Sequence, residues 1–209
     1  MIVETFPVGM LQCNCTILGD ETTREAIVID PGDDPELILS KLNKHKLTLK
    51  QIICTHAHID HVGAIFDLQQ KTETPASLHK ADLFLFEALE TQAEWLGMPA
   101  PMRGTIDRFL TDGTPVSCKG VEVGVLHTPG HTPGSSCFLL ENGRTTLFAG
   151  DTLFLNSIGR TDLWGGSMPE ILSSIHNKLL TLSDDTLVIA GHGPSTTVGY
   201  ERRNNPFLR

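Results

Sequence analysis

Gln51-Ile-Ile-Cys-Thr-His-Ala-His-Ile-Asp-His-Val62 decides how the rest of the chain is read. Residues 51–54 are apolar and largely β-branched after Gln51, as in a buried strand. From Val62 to Lys71 the apolar residues recur at helical spacing. Between them, His56, His58, Asp60 and His61 place four metal-competent side chains within six positions. A strand-to-helix turn fans such side chains out from the carboxyl end of a sheet. The remaining sequence must supply the ligands that this turn lacks.

The chain has 209 residues, enough for one domain with a sizeable core, and residues 1–209 are read as a single domain. The net charge of −9 excludes the broad basic face that nucleic acid or an anionic membrane requires. It leaves room for a small anionic substrate in a local basic pocket. Met1-Ile-Val-Glu-Thr-Phe-Pro7 has neither the basic nor the apolar region of a secretory signal. No apolar run reaches the ~20 residues of a membrane span. The five cysteines are scattered; Cys13 and Cys15 share a strand face, and Cys54, Cys118 and Cys137 sit in apolar runs. A reducing, cytoplasmic location is expected.

Along the chain, strands are predicted at 2–6, 11–18 and 25–29, the last stopped by Asp30-Pro-Gly32. Asp34-Pro-Glu36 opens a helix, with Asp34 as N-cap and Leu37, Ile38 and Leu42 as the apolar stripe. After the metal-like turn come a helix at 62–71, a strand at 76–79 and a helix at 81–91. Residues 92–105 read as an irregular surface loop that covers something. The second half is mostly β: a strand at 121–127, then strands at 136–140 and 145–149 around the hairpin signal Asn142-Gly143. Ser167-Met-Pro-Glu170 caps a helix running to about Leu182, and residues 186–190 form the last strand. Strands and helices occur in each half. This order fits an α/β (α+β) four-layer αββα sandwich, two mixed sheets face to face with helices outside.

Three more candidate ligands end strands beside glycine: His131 after Gly130, Asp151 after Gly150, and His192 between Gly191 and Gly193. Spacing assigns His56, His58 and His131 to one metal and Asp60, His61 and His192 to a second. Asp151 bridges, having one oxygen for each ion. A thiolate-free His/carboxylate set suits Zn²⁺, with Fe or Mn as alternatives. Two divalent ions ~3.5–4 Å apart would share a bridging hydroxide, formed because a metal lowers the pKa of water to ~7. Asp60 and Asp151 are then the carboxylates closest to the chemistry, which is hydrolysis. Arg160, in the glycine-rich loop after Asp151, is either a surface ion pair or a contact for a substrate carboxylate. Arg202 and Arg203 read as a solvated tail or a second such contact. Trp95 and Trp164, placed in loops, are local packing or pocket walls. His45, His79, His127 and His176 are structural or solvated.

Thr55-His-Ala-His-Ile-Asp-His61 with His131, Asp151 and His192 resembles the metallo-β-lactamase superfamily, with all seven metal positions filled. The likeness implies the αββα fold and extends from Asp30-Pro-Gly to His192. It also implies that Asp30 steadies a ligand. His127-Thr-Pro-Gly-His-Thr-Pro-Gly-Ser135, Phe148-Ala-Gly-Asp-Thr-Leu-Phe154, Gly159-Arg-Thr-Asp162 and Asn205-Pro-Phe-Leu-Arg209 are similar to the glyoxalase II (hydroxyacylglutathione hydrolase) branch, in its short bacterial form without the added C-terminal helical domain. Asp rather than Cys at 151 separates it from the commonest zinc β-lactamases. The implied activity is hydrolysis of S-acyl-glutathione, such as S-lactoylglutathione to lactate and glutathione. The implied partner is therefore a small glutathione-linked thioester. Alternatives are a mononuclear iron persulfide dioxygenase, which uses only two His and one Asp, and a hydrolase of another ester, thioester or lactone.

Overall fold

The computed structural model describes residues 1–209. The first half forms a six-stranded sheet in chain order: β1 (Ile2–Val8), β2 (Cys13–Gly19), β3 (Glu25–Ile29), β4 (Thr48–Ile53), β5 (Ala76–His79) and β6 (Arg108–Leu110). β1–β2–β3 are antiparallel and β3–β4–β5–β6 are parallel. The parallel crossovers carry α1 (Pro35–Lys44), α2 (Ile59–Val62), α3 (Ile65–Thr72), α4 (Leu83–Glu87) and α5 (Leu89–Leu96). The second half contributes β7 (Val116–Cys118), β8 (Val121–His127), β9 (Ser136–Leu140), β10 (Thr146–Gly150), a small hairpin β11 (Leu153–Phe154) and β12 (Ser157–Ile158), β13 (Leu187–Ala190) and β14 (Thr196–Thr197). Its six-stranded sheet has the order β14-β13-β10-β9-β8-β7. Helices α6 (Met168–Ser174) and α7 (Val198–Asn204) belong to this half.

Strand alternation builds the four layers. In β3, Ala26 and Val28 join a core with Ile38 and Leu42 of α1 and Ile65 and Leu68 of α3. Ile27 and Ile29 point the other way, into a core shared with Val123, Val125, Phe138 and Phe148 of the second sheet. Cys137, Leu147 and Val188, on the far face of that sheet, pack on Ile171 and Val198 of α6 and α7. A strand covered on both faces must be apolar at every position, and Glu25-Ala-Ile-Val-Ile29 is apolar after its first residue. Each large aliphatic side chain buried this way is worth roughly 1.5–3 kcal/mol before entropy is subtracted. The fold is the αββα sandwich of the metallo-β-lactamase fold.

Several expected elements differ from the observed ones. Asp34 sits at the N-cap position of α1 but is left-handed (φ 51°) and makes no side-chain cap; its Oδ2 instead accepts the Gly9 amide at 2.8 Å. Leu37 is 40% exposed, so the buried stripe of α1 is Ile38 and Leu42. The expected helix at 62–71 is two pieces, α2 and α3, the first already containing Asp60 and His61. The expected loop at 92–105 is helical as far as Leu96, so Trp95 lies on α5 and not in a loop. Residues 202–203 are not a tail. They lie in α7, and both arginines pair with Asp184. β6, β7, β11, β12 and β14 have only two or three residues each, too short for any periodicity to register. All five cysteines are free. No helix is long and apolar enough to cross a membrane.

Candidate metal centre

The carboxyl ends of β4, β8, β10 and β13 meet on one rim, and the loops leaving them carry the site. Backbone bonds tie the two sheets together there. Ser136 donates to the Thr55 carbonyl at 2.8 Å and Asn14 to the Gly191 carbonyl at 2.7 Å, while Gly191 donates to Gly150 within the second sheet at 2.7 Å. Glycine is required where chains touch: a Cβ at Gly191 would run into Asp151 Oδ1 and the His61 ring, and one at Gly32 into the Asp60 carbonyl.

The structure brings all seven candidate residues into one cluster. His58 Nδ1 lies 3.0 Å from His56 Nε2 and 2.9 Å from His131 Nε2. Nitrogens at a metal–ligand distance of ~2.0–2.1 Å in a tetrahedral shell sit roughly 3.3 Å apart, so these three are close to that spacing. Opposite them, His192 Nε2 is 3.1 Å and His61 Nε2 is 3.7 Å from Asp60 Oδ2. Asp151 stands between the two sets. Its Oδ2 is 3.6 Å from His131 Nε2, and its Oδ1 is 3.5 Å from His61 Nε2 and 3.8 Å from His192 Nε2.

The outward-facing ring nitrogens decide which lone pairs point inward. Thr55 donates its hydroxyl proton to Asp30 Oδ2 at 2.7 Å, so His56 Nδ1–H donates to Thr55 Oγ1 at 3.1 Å. His61 Nδ1–H donates to Asp30 Oδ2 at 3.0 Å. His131 Nδ1–H donates to the Arg160 carbonyl at 2.8 Å, and His192 Nδ1–H to the Leu11 carbonyl at 3.0 Å. Each leaves its Nε2 lone pair aimed at the centre. Asp30, which also accepts the Thr55 amide at 2.7 Å, serves both halves; its φ of 50° turns the carboxylate back toward the rim.

Two atoms test whether a cation fits. His61 Nε2 and Asp151 Oδ1 are buried and have no hydrogen-bond partner. Both are lone-pair donors facing the same space. Buried polar atoms are normally satisfied, and a divalent cation satisfies both at once.

Electrostatics differ between the halves. Burial first, then the neighbouring imidazoles, hold His56 far below its usual pKa; burial and His131 take His58 down to about 3. His56 and His58 are thus neutral imidazoles. In the second half, burial opposes charge on Asp60, but His61 and His192 outweigh it and keep its carboxyl below the usual range. Burial likewise opposes protonation of His61, yet Cys13, Asp60, Asp30 and Asp151 together raise its pKa. The hydrogen bond that protonated His192 donates to the Asp60 carboxylate raises that of His192.

One residue with no motif around it organises the site. Asp82, fully buried, accepts the Ala57 amide (3.1 Å), the Thr132 hydroxyl (2.7 Å) and the Gly134 amide (2.5 Å). It ties the 56–58 turn to the 131–134 loop. Burial raises its pKa against these three bonds. Gln92 acts similarly, accepting the Ile59 amide at 2.9 Å and donating to the Ala57 carbonyl at 3.1 Å. A lone Asp and a lone Gln in helical sequence give no sign of this.

The cluster floors an open cleft of about 520 Å³. Arg160, Trp95 and Trp164 line it, so both tryptophans are pocket wall. The Arg160 guanidinium is held by Asp162 through two bonds of 2.7 and 2.8 Å, which pull the Asp162 pKa down to about 2. Arg202 and Arg203 are not part of the cleft lining.

Residues 8–192 match the family model "Metallo-beta-lactamase superfamily". The chain is 42% identical to hydroxyacylglutathione hydrolase GloC of Haemophilus influenzae, over 100% of this chain and 98% of the relative. The crystal structure of BLEG-1 B3 metallo-beta-lactamase superposes with a TM-score of 0.91 at 38% identity, covering 99% of both chains. TTHA1623 in a di-iron-bound form superposes at 0.88 with 39% identity, covering 99% of this chain and 100% of that one. The chain belongs to the metallo-β-lactamase superfamily, a family of metal-dependent hydrolases.

Proposed function

We propose that the protein is a binuclear metal-dependent thioesterase acting on S-acyl-glutathione, with S-lactoylglutathione as its reference substrate. The observation that carries this is the position of Asp151, whose two oxygens face two separate imidazole sets. The name of the Haemophilus relative supports the substrate class. His56, His58 and His131 would hold one ion, Asp60, His61 and His192 the other, and Asp151 both. Bound ions supply Lewis acidity, lowering the pKa of water toward ~7 and polarising a carbonyl. Zn²⁺, Fe and Mn²⁺ all suit these donors.

The residues do the rest. The Thr55, Asp30, Arg160 and Leu11 acceptors keep four imidazoles in the tautomer that presents Nε2. Asp60, kept ionised, faces the cleft beside Asp151 and orients the attacking water. Water adds across the C–S bond. Its oxygen goes to the acyl carbon and one proton to the departing sulfur, giving a carboxylic acid and a thiol.

The test pairs metal analysis with substrate. Two ions per chain and thiol release from S-lactoylglutathione, both lost in His58→Ala, are expected. One iron per chain with oxygen uptake on glutathione persulfide would replace this reading with the dioxygenase one. A β-lactam belongs in the panel because of the BLEG-1 likeness; ring opening without thioester cleavage would replace it with a lactamase.

A further inference from the structure

The cleft above the candidate metal centre is chemically lopsided. Its floor is His58, Asp60, His131, Asp151 and His192. Half of its fourteen lining residues are hydrophobic, and four of these stand out into solvent: Leu11 (42% exposed), Trp95 (58%), Leu96 (51%) and Trp164 (38%). They come from three separate parts of the chain: the β1–β2 turn, α5 and the loop before α6. Trp95 and Trp164 meet edge to face, with ring centroids 4.0 Å apart. Scattered exposed apolar residues are ordinary; four that converge on a polar floor mark a binding surface.

Charge narrows what binds there. Arg160 is the one Lys or Arg in the lining, and Asp162 already occupies its guanidinium through two hydrogen bonds. A carrier such as glutathione, with two carboxylates and an ammonium group, finds no uncommitted cation in the cleft. Specific recognition of carboxylates uses such cations. The carrier's charges are best left in water, and the apolar wall falls to the other half of the thioester.

We propose that Trp95, Leu96 and Trp164, with Leu11 opposite, form an acyl subsite, and that the preferred substrates carry a bulky apolar acyl group, aromatic or branched. The small, hydroxylated lactoyl group leaves this wall wet. The proposal rests on the thioesterase reading above for its kinetic consequence, but the subsite itself can be tested without turnover. Trp95 and Trp164 are the two tryptophans of the chain, so fluorescence excited selectively at tryptophan reports on this wall alone.

The experiment uses the metal-loaded protein. It is titrated with S-benzylglutathione and S-methylglutathione, thioethers that cannot be hydrolysed. The benzyl compound is expected to change tryptophan emission and to bind at least about tenfold tighter, the gain expected of burying one large apolar group. In parallel, kcat/KM for S-phenylacetylglutathione is expected to exceed that for S-lactoylglutathione by about tenfold, mostly through KM. Trp95→Ala and Trp164→Ala should each shrink that ratio; Trp164→Leu, which keeps part of the apolar area, should restore some of it. Equal binding of the two thioethers, or a phenylacetyl-to-lactoyl ratio near one, overturns the subsite and leaves the thioesterase standing. Tighter benzyl binding with no thioester cleaved upholds the subsite and overturns the thioesterase.

Discussion

Asp82 Oδ2 accepts the Thr132 hydroxyl at 2.7 Å, joining the start of α4 to the residue that follows His131. The same oxygen accepts the amide of Ala57, between His56 and His58. One carboxylate thus sets the spacing of three candidate ligands while touching none. In Asp82→Ala the Ala57 and Gly134 amides and the Thr132 hydroxyl lose their acceptor. We expect a stability loss on the order of 3 kcal/mol and a 10–100-fold weaker metal affinity. Asp82→Asn keeps shape but turns an amide toward one donor, and should fall between. A thermal melt combined with competitive metal titration checks this; metal affinity unchanged in both variants would reduce Asp82 to core structure.

Gly191 offers a way to disturb the centre without removing a donor atom. A Cβ there enters the space of Asp151 Oδ1 and His61 Cε1. Gly191 is not among the left-handed glycines, so Ala carries no positive-φ penalty there, and the nearest backbone atom, Gly150 C at 3.1 Å, has to give only slightly. Gly191→Ala should therefore keep its fold and lose most of its bound metal and activity. Circular dichroism with metal analysis decides it; full metal content would show that Asp151 can move aside.

Chelation should cost stability as well as activity. His61 Nε2 and Asp151 Oδ1 are buried with no hydrogen-bond partner, and chelation takes away the cation that fits them. A ligand at about a thousand times its Kd adds ~4 kcal/mol per site, and each kcal/mol moves the Tm of a chain this size by roughly 2–4 °C. Removing both ions should lower Tm by on the order of 20 °C, reversed by adding Zn²⁺. An unchanged melt after verified removal would mean that the rim is held by protein contacts alone.

The contrast between Thr55–His61 and Asp82 shows what could be read from sequence. The first is legible because several donors crowd a strand-to-helix turn, a pattern few other demands create. His131, Asp151 and His192 become legible through it, each flanked by a glycine that a close backbone approach requires. Asp82 and Gln92 act through hydrogen bonds to groups distant in sequence, and no local pattern encodes that. The layers could be read from β3 and from the Ile52–Ile53 end of β4, where both faces must be apolar. The short strands carry too few residues to alternate visibly. Arg202 and Arg203 looked like a tail because α7 follows a glycine- and proline-rich stretch; only the pairing with Asp184 shows otherwise.

The stacked pair His79 and His127 makes stability pH-dependent away from the centre. The rings lie 4.0 Å apart and 13° from parallel. Burial, and then the charge of His127, lowers the His79 pKa from 6.5. His79 therefore binds its proton more weakly folded than unfolded, so stability falls as pH drops below about 6.5 toward that lowered value. Asn at 79 can still accept the Ala81 amide while adding no charge. His79→Asn should thus show a smaller loss of Tm between pH 7.5 and 5.5 than the native chain. Equal losses would move the pH dependence to other groups.

Arg160 has two separable jobs. Its backbone carbonyl orients His131, and its guanidinium stands in the cleft bound to Asp162. A side-chain substitution removes only the second. Arg160→Ala should keep full metal content and change neither KM for glutathione thioesters nor kcat appreciably, because Asp162 already occupies the guanidinium. Asp162→Asn leaves the guanidinium free for a substrate carboxylate. Both side chains are well exposed, at 61% and 69%, so solvent screens the pair and the gain is small: KM should fall by no more than about threefold. Steady-state kinetics on S-lactoylglutathione read both effects. A loss of metal in Arg160→Ala would show that the ion pair shapes the loop holding His131, and a rise in KM for Asp162→Asn would show that Asp162 aims the guanidinium at the substrate.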